Sequence, residues 1–140
     1  MALLASPVLA GCNAEKVPTA SEAGKTLQVD VLHLLREVTA QNVTIIDSGG
    51  KEIPCGEGKA KQTFSATGQD VSPKRARYTL RVMLVGALRG VDGYVVDGVP
   101  DPLNQPVRVK SESKKVALAL DSPEDGTYVV GGETQCLPRT

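Results

Sequence analysis

Tryptophan is absent, and the 140 residues hold only one phenylalanine, three tyrosines and one histidine. Platforms that stack bases or sugars are built from exposed aromatic rings, so this shortage argues against both kinds of recognition. An excess of either charge is missing as well, because sixteen Lys and Arg balance sixteen Asp and Glu. A nucleic-acid binder needs surplus cations to displace phosphate counterions, so no nucleic-acid partner is expected. No run approaches the roughly 18 apolar residues that a membrane-spanning helix requires. With so few rings, the core has to be assembled from Val, Leu, Ala and Ile. That favours a Val-rich sheet covered by Leu/Ala helices.

Catalytic and cofactor signatures are equally sparse. Gly49-Gly50-Lys51 and Gly56-Glu57-Gly58-Lys59 do not fit the phosphate-loop spacing G-x-x-x-x-G-K-[ST] and read as hairpin turns. No G-x-S-x-G elbow is present for a serine nucleophile. His33 shares a helical face with Asp30 and Glu37 at spacings of three and four. That trio is the one basis for an enzyme reading, a metal-assisted hydrolase. A solvent-facing helix surface with local ion pairs accounts for it better. Neither a metal site nor a cofactor is expected, and the chain is read as a non-enzyme.

What is present is clear periodicity. Leu27, Val31, Leu34, Leu35 and Val38 recur at helical spacing and predict an amphipathic helix over 26–41. Val43 to Ile46 is a β-branched strand followed by the turn Asp47-Ser48-Gly49-Gly50, with 51–54 as the start of a return. Residues 59–67 alternate and place Ala60, Gln62, Phe64 and Ala66 on one face. Ser72-Pro73 resembles a helix start, and Ala76, Leu80, Met83, Leu84, Ala87 and Leu88 line a second helix ending near Gly90. Arg75, Arg77, Arg81 and Arg89 fall largely off that apolar line and predict a solvated face. Strands follow at 94–96, 107–109, 116–120 and 127–130, with a Pro-rich loop over 99–106. The expected fold is α+β in the order α-β-β-α-β-β-β-β, one antiparallel sheet with both helices packed on a single face.

The N-terminus carries an address. Met1 to Gly11 is apolar apart from Ser6 and Pro7, and Leu9-Ala10-Gly11-Cys12 resembles the lipobox of bacterial lipoproteins. No Lys or Arg precedes the run, which departs from a full secretory leader. The resemblance implies thioether attachment of diacylglycerol to Cys12 (acyl chains such as palmitate) and cleavage after Gly11. Residues 1–11 are then a truncated signal peptide, 12–25 a flexible lipidated tether, and 26–140 a single domain. The composition, rich in Ala, Gly, Val and Arg, is similar to that of lipoproteins of high-GC actinobacteria. With Cys12 acylated, two cysteines remain in an exported domain. Cys55 and Cys136 are then expected to pair as a disulfide.

These readings converge on a cell-envelope protein held by its lipid on the extracytoplasmic face of the membrane. Its expected role is a non-enzymatic binding or interaction module whose partner is an envelope protein or lipid. A phage- or prophage-encoded surface lipoprotein that blocks superinfection is the alternative of the same size and address.

Overall fold

The computed structural model describes residues 16–139. The lipobox and its Cys12 lie outside them. Among the described residues, no helix is long and apolar enough to cross a membrane.

The first helix, α1 (Ala20–Glu37), begins six residues earlier than its apolar periodicity predicts. The cause is a capping box: Thr19 Oγ1 accepts from the Glu22 amide at 3.1 Å, and Glu22 Oε1 accepts from the Thr19 amide at 2.9 Å. Residues 20–25, read above as spacer, are therefore the first turns of the helix, with Ala20, Ala23 and Gly24 buried.

Strands β1 (Gln41–Asp47), β2 (Ile53–Gly56), β3 (Lys59–Lys61) and β4 (Thr63–Gln69) follow. Helix α2 (Arg77–Ala87) and a short 3-10 turn (Leu88–Gly90) lead into β5 (Val95–Val96), β6 (Val107–Ser111), β7 (Val116–Asp121), β8 (Thr127–Thr134) and β9 (Leu137–Pro138). Ser72-Pro73 does not start α2, whose N-cap is Ala76. The Ser72 amide instead donates to Asp70 Oδ2 at 3.1 Å, closing a separate turn.

The class is α+β, as the pattern implies, and all strand pairs are antiparallel. The expectation of one sheet is corrected, however. Six strands pair in the order β1-β4-β8-β7-β6-β5, and β2-β3-β9 form a second sheet. The observed order is α-β-β-β-β-α-β-β-β-β-β. The single strand expected over 59–67 breaks at Gln62, whose amide donates to Thr134 Oγ1 at 3.0 Å while its carbonyl accepts from the Thr134 amide at 2.9 Å. On one side of that bend the chain joins the large sheet; on the other it pairs with β2 and β9. Pro54 in β2 is tolerated because β2 is an edge strand, bonded only to β3.

Both helices lie on the same face of the large sheet. Helix α1 packs on β4 and β8, and α2 on β7 and β8, with the helices touching each other. Alternate residues Phe64, Ala66, Leu118, Leu120, Tyr128 and Val130 are buried beneath them. At the sheet's first edge, β1 is left uncovered, with Val43, Ile45 and Ile46 exposed.

Candidate functional site

Of the expected site residues, Cys12 lies outside the described region, whereas Cys55 and Cys136 are joined by a disulfide with a Cα–Cα distance of 5.9 Å. The bridge links β2 to the segment entering β9, so it staples the small sheet across 81 positions of sequence.

Asp30, His33 and Glu37 do not converge. His33 Nε2 meets Glu37 Oε1 at 3.1 Å on the helix surface. Asp30 turns inward and is 6% exposed; its Oδ2 accepts from Tyr94 Oη at 2.6 Å and Lys114 Nζ at 2.9 Å. The Lys114 ammonium also sits 4.9 Å from the centre of the Tyr94 ring. Burial and the Asp30 carboxylate both push the Tyr94 phenol far above its ordinary range. No group of three or more metal-ligating side chains occurs among the described residues.

A second buried carboxylate, Asp70, accepts from Tyr128 Oη at 2.9 Å and lies 3.3 Å from Arg75 Nε. Burial first, and then Asp70, raise the Tyr128 phenol as well. Arg81, expected on a solvated face, is instead buried. Its guanidinium donates to Asp121 Oδ1 at 3.0 Å, Pro102 O at 2.9 Å and Ser122 O at 3.2 Å. That fork ties the Pro-rich loop and the β7–β8 turn to α2. Each of these clusters is closed by its own partners and leaves no reactive group facing a cavity.

Two clefts remain. The larger, about 360 Å³, is a shallow saddle on the sheet face opposite the helices. Its floor is Ala117, Ala119 and Gly131, with Asp97, Arg108 and Glu133 at the rim. The smaller, about 210 Å³, lies between the N-terminal half of α1 and the β1–β2 turn. Ser21, Lys25 and Gln28 form one wall, Ser48 to Gly50 the other, and Gln62 and Thr63 the floor. The turn is held by Asp47, whose carboxylate accepts from Thr63 Oγ1 and, at 2.9 Å, from the Gly49 amide. Those two bonds hold the Asp47 carboxyl below its usual range. Gly49 has φ of +70° and faces the Thr63 carbonyl, a position only glycine occupies without strain.

Known proteins offer no guide here. No family model, curated protein or solved structure matches the chain.

Gln62 is therefore the residue to which the geometry directs attention. It is 7% exposed, yet its side-chain amide hydrogen-bonds to no described residue and lines the smaller cleft. Among the described residues no fully buried side-chain polar atom lacks a partner, so the Gln62 amide keeps its contact with solvent through this cleft. Sequence alternation put Gln62 on the core-facing side of its strand with Ala60, Phe64 and Ala66. A polar residue on that line was the one available signal for the cleft.

Proposed function

We propose that this chain is an exported, lipid-anchored envelope protein whose α+β domain acts as a non-enzymatic binding module on the extracytoplasmic face. The observation that carries this reading is the Cys55–Cys136 disulfide. Disulfides persist in oxidising compartments outside the cytosol. Pairing those two thiols leaves Cys12, at the end of Leu9-Ala10-Gly11, as the one cysteine outside the bridge. Two acyl chains on that sulfur supply the stable anchoring that a single chain does not. The binding role is supported by surfaces with open geometry, the saddle on the sheet and the cleft at Gln62, set against ionic clusters that are internally satisfied.

Intact-mass analysis of the protein from a membrane fraction tests the address. The expected species begins at Cys12 and carries a diacylglycerol increment, and a non-reducing digest yields a linked Cys55–Cys136 peptide. A soluble chain that retains residues 1–11, bears no lipid and has free thiols would refute the proposal.

A further inference from the structure

We infer that the cleft between α1 and the β1–β2 turn binds a small organic monocarboxylate bearing a second hydrogen-bonding group, of the N-acylated amino-acid type. Lys25 pairs with its carboxylate and Gln62 with its amide. This deepens the reading of the domain as a binding module and does not depend on acylation of Cys12.

Charge comes first. The cleft is lined by one cation, Lys25, and by no acidic side chain. Lys25 forms no ion pair with a described residue. The nearest carboxylate in the turn, Asp47, is already occupied by Thr63 and the Gly49 amide. Glu22, three residues earlier on α1, already feels the Lys25 charge, so the site matches at most one negative charge on a ligand.

Hydrogen bonding follows. The Gln62 amide offers two donors and an acceptor, none bonded to a described residue, and it lines the cleft with its Oε1 set against Gly24. A ligand group that both donates and accepts, such as an amide, satisfies more of that capacity than a simple carboxylate. Ser21 and Ser48 add hydroxyls on opposite walls.

Shape completes the case. Helix position 24 is glycine, and a Cβ there would overlap Gln62 Oε1 and come within 2.8 Å of its Cδ. The missing side chain lets the amide lie against the helix and keeps the cleft open. An apolar cavity of about 150 Å³ accommodates benzene. On that scale, about 210 Å³ suits a ligand of roughly eight to ten non-hydrogen atoms.

The test titrates the 140-residue chain with N-acetylglycine by amide-resolved NMR. Saturable shifts are expected at Lys25, Gln62 and the Gly49–Gly50 turn. N-acetylglycinamide, the same shape without the charge, should bind at least tenfold more weakly, and inorganic phosphate should not displace N-acetylglycine. Lys25→Met, an exposed site where folding is safe, and Gln62→Leu should each weaken binding at least tenfold. Gly24→Ala should do so by driving the Gln62 amide into the cleft. Circular dichroism and urea midpoints identify any variant that has failed to fold, and Lys25→Met then carries the test alone. The inference is overturned by no saturable shift up to about 10 mM, below which weak binding is still measurable. Equal affinity for the neutral amide, displacement by phosphate, or undiminished binding by folded Lys25→Met also overturns it. An unlipidated chain that binds N-acetylglycine leaves the inference standing even if the membrane anchor is refuted.

Discussion

Arg81 sits in the middle of α2 with its side chain 7% exposed and its guanidinium shared among Asp121, Pro102 and Ser122. Helical spacing sets it off the Leu80–Leu84 line and predicts a solvated direction, which its burial overturns. What decided it was the arrival of two remote loops carrying carbonyls and a carboxylate. Arg81→Ala removes the cation and strands buried acceptors, a change that typically costs about 3 kcal/mol when one partner of a buried pair is lost. A urea titration read by circular dichroism should show the midpoint drop accordingly. A change under about 0.5 kcal/mol, the scale of ordinary surface substitutions, would mean the fork is dispensable. Asp30 teaches the same lesson. Its spacing from His33 and Glu37 is real, but the side chain answers to Tyr94 and Lys114, which lie 64 and 84 positions away.

Among elements, the small sheet depends most on a single bond. Strand β3 has three residues and β9 two, too few to stand alone. The disulfide between Cys55 and Cys136 ties their neighbours together across 81 positions. Closing a loop of that size restricts the unfolded chain by about 4 kcal/mol in the entropy model. The Cys55→Ser, Cys136→Ser double variant should lose stability on that order. Hydrogen exchange should quicken first at β2, β3 and β9, while β4, β7 and β8 keep their protection. Uniform loss across both sheets would contradict this division. The pairing itself was legible from cysteine arithmetic: with Cys12 set aside by its lipobox-like context, two cysteines remain, and those two are bridged. The second sheet was not legible. The alternating pattern runs through 59–67 without interruption, and only the bonds between Gln62 and Thr134 show where the strand changes partners.

At the scale of the whole molecule, titration brackets the range of stability. Asp47 is held below its ordinary 3.8 by Thr63 and Gly49, and Glu22 below its ordinary 4.5 by the Thr19 amide. A carboxyl depressed in the folded state stabilises the fold above its unfolded value, and that contribution is lost as pH falls through the folded value. Tyr94 and Tyr128 are raised from 10.0 by burial and by their carboxylate partners. Their contribution is whole below pH 10 and is lost as pH rises above it. Urea midpoints should therefore decline on both flanks, below about pH 4 and above about pH 10. Asp47→Asn should flatten the acid flank, and Tyr94→Phe should reduce the alkaline one. An unchanged acid flank in Asp47→Asn would place the acid-sensitive groups elsewhere.

By itself the sequence determined both helices, most of the strands, the α+β class and the identity of the bridged cysteines. Each of these is written in spacing between near neighbours or in composition, and local backbone geometry reads such spacing directly. Only the tertiary structure decided that the strands divide into two sheets, that Arg81 and Asp30 point inward, and that Gln62 opens on a cleft. Those outcomes depend on which distant groups arrive with the right charge and hydrogen-bonding capacity. No periodicity along the chain records such meetings, because they are set by the packing of helices on a sheet whose neighbouring strands are far apart in sequence.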